Sequence, residues 1–170
     1  YVAFQSDATN LVATGTTSGR LYFVRDRLTR TTSVVDVAVD GNVAALATVE
    51  PPSLSADGRF VAFALTHTAL VGTPATFRAT FGPVSVRDLL TGTTEVVSVA
   101  SNGTQRTGSA PSISGDGRFV AFSSLDTDLV ASDTNDRGDV FLRDRISRTT
   151  ERLSVSSIGS QAIQSSFQPS

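Results

Sequence analysis

The most acidic stretch of the chain, "DTDLVASDTNDRGDVF" (126–141), places carboxylate and amide side chains at alternate positions. Such side-chain oxygens suit Ca²⁺, which takes roughly six to eight oxygen ligands. The candidate metal ligands are Asp133, Asn135 and Asp139. The full calcium-loop pattern is not met, because Arg137 stands at its fifth position. The competing interpretation is a polar hairpin loop whose Asp and Asn side chains bond to their own backbone.

A second candidate is the long segment "TFRATF" (76–81), which lies within "TPATFRATFGP" (73–83). Long loops in compact folds often carry function, so Phe77, Arg78 and Phe81 form a candidate binding loop. The alternative is that the two phenylalanine rings only cover the rim of the fold.

Other chemistry finds little support in the sequence. The chain has one histidine and no cysteine, and it contains no Gly-x-Ser-x-Gly elbow, P-loop or His-Glu-x-x-His motif. We therefore expect no catalytic residue, no cofactor beyond the calcium considered above, and no enzymatic activity. The net charge is -2 and no basic stripe is present, so nucleic acid is not an expected partner. No apolar run reaches the ~18–20 residues that a membrane-spanning helix needs.

These candidates sit within an internal repeat. "DGRFVAF" occurs at 57–63 and again at 116–122, and the chain opens on the end of the same phrase, "YVAF". Tyr1, Phe60 and Phe119 begin three copies that lie about 59 residues apart. Each copy continues into a related segment: "FVRDRLTRTT", "SVRDLLTGTT" or "FLRDRISRTT".

Each repeat predicts four short antiparallel strands, in the order "PSIS", "RFVAFSS", "DVFLRDR" and "ERLSVSS" from the innermost to the outermost. The Asp-Gly pairs suit tight hairpins between the first two strands. Gly92 suits the turn before the fourth strand, where the other copies carry Arg30 and Arg148, so this turn must tolerate a side chain. Four strands with turns at fixed places are typical of a propeller blade.

Five aspartates recur between the copies. Asp57 and Asp116 each precede a glycine and are predicted to form turns. Asp26, Asp88 and Asp144 each follow an arginine and are predicted to form Arg–Asp pairs that brace the strands. A residue that recurs in every blade has no reason to be catalytic.

The segments "PSLSADGRFVAF" and "PSISGDGRFVAF", followed by Asp and then Thr-Gly-Thr-Thr, resemble the repeats of the TolB-like (WD-like) β-propeller family. The resemblance covers nearly the whole chain. It implies an all-β fold, a periplasmic or extracellular location, and a non-enzymatic scaffold that binds a protein or a ligand. The alternative is an accessory propeller domain of a larger enzyme, such as a prolyl-oligopeptidase-type peptidase.

The repeat divides the chain into 1–52 (strands two to four of blade 1 and the start of the next), 53–110 (blade 2) and 111–170 (blade 3 with a strand for a further blade). Three blades leave two sheet faces uncovered, whereas propellers close with roughly four to eight blades. We expect a six-bladed ring, completed either by a head-to-tail homodimer or by a missing segment of a longer chain.

Overall fold

The computed structural model describes residues 1–13, 19–37, 43, 50–64 and 82–170. Within these residues the chain forms eleven β-strands. The described residues contain no helix that could span a membrane. The strands are β1 (Val2–Ser6), β2 (Leu21–Asp26), β3 (Thr31–Val34), β4 (Ser53–Leu54), β5 (Phe60–Ala64), β6 (Val84–Asp88), β7 (Thr93–Val96), β8 (Ser109–Ile113), β9 (Phe119–Ser124), β10 (Asp139–Asp144) and β11 (Thr149–Arg152).

The strands form three antiparallel sheets, one for each repeat. Blade 1 has the order β1-β2-β3, blade 2 has β4-β5-β6-β7, and blade 3 has β8-β9-β10-β11. Neighbouring strands are consecutive in sequence, as the hairpin turns require. The all-β fold of propeller blades predicted from the repeat is therefore confirmed. The innermost strand of blade 3 begins at Ser109, two residues before residue 111, where the repeat predicts that blade 3 begins.

The blades pack face to face through apolar side chains. The core between blades 1 and 2 joins Tyr22, Val24 and Val35 to Val61 and Phe63. Successive strand residues point to opposite faces, so Val61 and Phe63 of "VAF" face blade 1, whereas Ala62 between them faces blade 3. Burying one such side chain contributes about 1.5–3 kcal/mol. A second core joins blades 2 and 3 through Ala62, Ala64, Val84, Val86, Val97, Ile113, Val120, Phe122, Leu129 and Phe141.

The Asp-Gly turns form as the sequence predicts. The Asp57 carboxylate accepts hydrogen bonds from the Ser55 hydroxyl (2.6 Å) and from the Arg59 backbone N–H (3.0 Å), and Gly58 has φ +72°. The Ser55 bond contributes most to holding the pKa of Asp57 below its ordinary value. Asp116 repeats these contacts in blade 3, so the predicted turn-forming role of both aspartates is confirmed.

The turn before the outermost strand adopts a left-handed backbone in all three blades. The φ angles are 59° at Arg30, 69° at Gly92 and 59° at Arg148. Two of the three blades thus hold a side chain where glycine is the least strained residue. This agrees with the prediction that the turn must tolerate a side chain.

The innermost strand of blade 3 contains an irregularity that recurs near the C-terminus. Its register with β9 shifts between Ser109 and Ser112, and Ala110 inside the shift has φ +48°. Gln168 stands at the corresponding position of the next repeat and has φ +59°. Gln168 therefore shares the left-handed backbone conformation that Ala110 adopts within the innermost strand of blade 3.

Hydrogen bonds support the same equivalence. The Gly108 N–H donates to the Gly82 carbonyl (3.0 Å), which leads the chain from blade 2 into blade 3. The Ser166 N–H donates to the Gly138 carbonyl (2.8 Å) in the same way. Residues 166–170 thus leave blade 3 along the path that residues 108–112 take out of blade 2.

Candidate functional site

The structure brings the three predicted calcium ligands together and adds two residues to them. Nδ2 of Asn135 donates to Oδ2 of Asp139 (3.3 Å), and the Ser154 hydroxyl donates to Oδ1 of Asp139. Arg152 places Nη1 3.2 Å from Oδ1 of Asp133 and 3.7 Å from Oδ2 of Asp139. These charged side chains are buried, with exposures of 6 % for Arg152, 1 % for Asp133 and 0 % for Asp139.

The arrangement favours the structural interpretation of this loop. The guanidinium of Arg152 lies between the two carboxylates, where a bridging cation would have to sit. Asn135 presents its amino group to Asp139, and its carbonyl oxygen accepts the Arg137 N–H (2.9 Å). Burial and the neighbouring charge of Asp139 raise the pKa of Asp133. Among the described residues, no group of three or more His, Cys, Asp or Glu is placed to hold a metal ion. Calcium binding itself stays a prediction.

Sequence reasoning missed Arg152, although comparing the three copies offered a signal. Blade 3 alone carries an acid at the position of Asp139 and a base at the position of Arg152. The other blades carry apolar residues at both positions, Leu21 and Val34 in blade 1 and Pro83 and Val96 in blade 2. Opposite charges that replace apolar residues on two neighbouring strands, and only in one blade, indicate a buried ion pair.

The predicted binding loop cannot be placed in the same way. Phe77, Arg78 and Phe81 fall within 65–81, which lies outside the described residues. Their role stays a prediction.

A cavity of about 460 Å³ opens where β8 begins and β9 ends, and we call it the inner cavity. Its apolar wall is formed by Leu125 and Phe167, which are 63 % and 57 % exposed. The other lining residues are Glu50, Thr107, Gly108, Ser109, Ala110, Ser123, Ser124 and Gln168, of which the threonine and the three serines carry hydroxyl groups. Sequence analysis did not identify the inner cavity, because its walls come from four separate segments of the chain.

The polar groups of the inner cavity are held in place. The Ser124 hydroxyl donates to the Thr107 carbonyl (2.7 Å), and the Thr107 N–H donates to Oδ2 of Asp126 (2.7 Å). The Gln168 N–H donates to the Ser123 hydroxyl (3.1 Å), which fixes the C-terminal segment beside β9.

The apolar wall is positioned by a glycine. The ring of Phe167 lies over Gly138, where a Cβ atom would come within 2.6 Å of it. The inner cavity therefore combines an exposed aromatic ring with oriented hydroxyl groups, which can bind an apolar side chain and hydrogen-bond the backbone that carries it.

The recurring aspartates at the ends of β6 and β10 have a different partner from the predicted one. Arg59 donates from Nε and Nη2 to the two oxygens of Asp88, at 3.0 and 2.7 Å. Arg118 binds Asp144 in the same way, with its shortest contact at 2.6 Å. These bonds hold the pKa of both carboxyls far below the ordinary range. The arginine of the Asp-Gly-Arg turn, not the arginine preceding the aspartate, thus braces the blade.

The arginines that precede these aspartates make a separate contact. Nη1 of Arg87 donates to the Thr94 hydroxyl on the neighbouring strand (3.0 Å). Arg25 and Arg143 make the same bond in blades 1 and 3, to Thr32 and Thr150, at 2.9 Å in each case. The prediction that each aspartate pairs with the arginine before it was therefore wrong, although the bracing role itself holds for Asp88 and Asp144.

These features define a repeat protein built of β-propeller blades. No protein-family model matches the chain, and no curated protein matches it. Among solved structures it is similar to the tricorn protease, at 15 % identity and a TM-score of 0.49, over 81 % of this chain and 11 % of that chain. It is also similar to TolB from Acinetobacter baumannii, at 14 % identity and a TM-score of 0.30, over 79 % of this chain and 38 % of that chain. The chain spans well under two thirds of either protein, and both likenesses concern the fold alone.

Proposed function

We propose that the chain is a non-enzymatic propeller module that binds a protein partner through the inner cavity. The observation that carries this proposal is the pairing of two exposed apolar side chains, Leu125 and Phe167, with fixed hydroxyl groups in one concave site. Binding sites typically combine an apolar wall with a few well-placed polar groups, and aromatic residues supply much of the binding energy.

The hydrogen bonds of the inner cavity favour this role. Because Ser124 and Thr107 are already oriented by the backbone and by Asp126, a ligand does not have to order them. A preorganised site loses less conformational entropy on binding than a flexible one.

The proposal includes the setting that the sequence resemblance implies. The module acts in the periplasm or outside the cell, and either a head-to-tail second copy or a segment of a longer chain completes the ring. Service as the accessory propeller of a larger enzyme is the alternative, and a catalytic segment joined to these residues would identify it.

The test is a selection of binding peptides from a random displayed library on the immobilised 170-residue chain. Leu125→Asp places a charge in the inner cavity, and Leu90→Asp is the matched control, because Leu90 is 77 % exposed at an outer hairpin turn. We expect the selected peptides to lose about tenfold or more in affinity for Leu125→Asp and to keep their affinity for the control. Peptides that bind both variants equally, or a selection that yields none, would overturn the proposal.

A further inference from the structure

The junction between blades 2 and 3 combines an aromatic ring with an ion pair. The ring of Phe60 in blade 2 lies on Gly117 of blade 3. The guanidinium of Arg145, also in blade 3, lies 4.4 Å from the centroid of that ring. The same guanidinium forms an ion pair with Glu95 of blade 2. Blade 2 thus contributes the ring and the acid, and blade 3 contributes the glycine and the base.

The junction between blades 1 and 2 uses the same positions without charge. Tyr1 lies on Gly58, as Phe60 lies on Gly117. Ser33 stands at the position of Glu95, and Leu89 stands at the position of Arg145. Leu89 packs on the apolar core between these two blades. The charged and the uncharged junction therefore differ at this pair of positions, which is Glu95 with Arg145 in one and Ser33 with Leu89 in the other.

The two outer faces of the three-blade unit carry the separated halves of a charged junction. Blade 3 presents Phe119 and Glu151, at the positions of Phe60 and Glu95. Blade 1 presents Arg27, at the position of Arg145. Arg27 and Glu151 are both exposed, and neither forms an ion pair with any residue in the described part of the chain.

Burial along the outer strands shows that the open face of blade 3 is an uncovered junction. Val35 and Val97 are 0 % and 1 % exposed, because the next blade covers them, whereas Leu153 at the same position of blade 3 is 44 % exposed. The Thr94 hydroxyl donates to the Val37 carbonyl across the first junction. Thr150 makes the equivalent bond across the second, at 2.8 Å.

Strand pairing offers a second connection between the same two faces. β1 is an edge strand of its sheet, whereas its counterparts β5 and β9 each pair with an innermost strand. In those blades the pairs are Ser53 with Ala62 and Ser112 with Ala121. Ser170 and Ala3 stand at the corresponding positions of this chain.

We propose that the open face of blade 3 binds blade 1 of a second copy, with Arg27 of that copy over Phe119 and paired with Glu151. This inference rests on the head-to-tail pairing included in the proposed function, and it assigns the residues that select the partner. The occupant is a second copy because this chain itself carries both halves of the charged junction, Phe119 and Glu151 on blade 3 and Arg27 on blade 1. Two identical junctions give a six-bladed ring with twofold symmetry, within the range in which propellers close.

The test is a charge exchange followed by light scattering and by dilution. The wild-type chain is expected to have twice the 17.8 kDa mass of one chain. Arg27→Glu and Glu151→Arg each place like charges opposite one another, so each is expected to raise the dimer dissociation constant by about tenfold or more. The double variant Arg27→Glu/Glu151→Arg restores an opposite pair at both junctions and is expected to recover the dimer. Arg137→Glu is the control, because it makes the same charge change as Arg27→Glu at an exposed position of blade 3 away from the junction. It should leave the dimer intact.

The outcomes separate the claims. A wild-type monomer would overturn both the head-to-tail pairing and this junction. A dimer that resists the single substitutions, or that the exchange does not restore, would overturn the junction and leave the pairing in place. A larger assembly with the expected mutational pattern would keep the junction and overturn the closed six-bladed ring. Circular dichroism of each variant checks that these exposed substitutions leave the blades folded.

Discussion

The ring of Phe60 lies so close to Gly117 that a Cβ atom on Gly117 would come within 2.2 Å of Cδ2 of the ring. Gly117 also has φ +73°, which the hairpin turn requires. One glycine therefore closes a turn in blade 3 and makes room for the aromatic ring of blade 2. Tyr1 and Gly58 repeat this relationship. The recurrence of "DGRFVAF" follows, because the glycine of each copy lies against the aromatic residue that begins the preceding copy, Tyr1 or Phe60.

The first prediction concerns this contact. Gly117→Ala is expected to destabilise the fold by about 3 kcal/mol or more, because a left-handed alanine costs about 1–2 kcal/mol and the displaced ring adds to that cost. Gly103→Ala is the control, since Gly103 has φ +84° and nothing within 4 Å of a Cβ atom. Urea denaturation measures both free energies of unfolding. Equal losses would show that the backbone angle, and not the contact between blades, makes glycine necessary.

The sequence predicts the blades well, because each feature of a blade is local. Alternating apolar residues define the strands, and Asp-Gly pairs define the first hairpin. The partner of Asp88 is not local. Arg87 precedes it directly, but successive residues of a strand point to opposite faces, so these two side chains cannot meet. Arg59, in the turn directly before the neighbouring strand β5, reaches the carboxylate instead. The inner cavity likewise depends on how segments meet, which no local pattern reports.

The second prediction tests the Arg59–Asp88 brace. Asp88→Asn removes the arginine pair, and Asp26→Asn is the control because Asp26 caps the same kind of turn, through the N–H groups of Leu28 and Thr29. We expect Asp88→Asn to cost about 1 kcal/mol more than the control, a modest value because Arg59 is partly exposed and screened by solvent. The measurement is the urea midpoint of each variant. If both variants lose the same stability, only the turn contributes.

A third prediction concerns pH and Asp36. This carboxyl is 1 % exposed, and its Oδ2 accepts the Tyr22 N–H, while no hydrogen bond from a described residue reaches its Oδ1. Burial raises its pKa to about 7. The folded protein therefore holds this proton more tightly than the unfolded chain, in which the pKa is about 4. The stability that Asp36 contributes is full below about pH 4 and is lost as the pH rises to about 7.

The other blades supply the matched variant. Ser98 and Ser154 occupy the position of Asp36, and their hydroxyls accept the equivalent N–H at 2.9 and 3.2 Å. Asp36→Ser is expected to stabilise the protein by about 2–4 kcal/mol at pH 8 relative to its effect at pH 4. Denaturation of both proteins across this pH range gives the difference directly. A difference that does not change with pH would show that Asp36 titrates normally in the folded state.

The last prediction separates the two interpretations of the buried cluster in blade 3. If the guanidinium of Arg152 already neutralises Asp133 and Asp139, millimolar calcium should leave the Tm of the wild-type protein unchanged. Arg152→Ala leaves two buried carboxylates without a counter-charge, so it is expected to cost about 3 kcal/mol or more and to become partly restored by calcium. Magnesium controls for ionic strength, and Arg137→Ala controls for the loss of an exposed arginine from the loop that carries Asp133. A calcium-dependent rise of several degrees in the wild-type Tm would instead confirm the calcium site predicted from Asp133, Asn135 and Asp139, and would require Arg152 to move out of the space between the carboxylates.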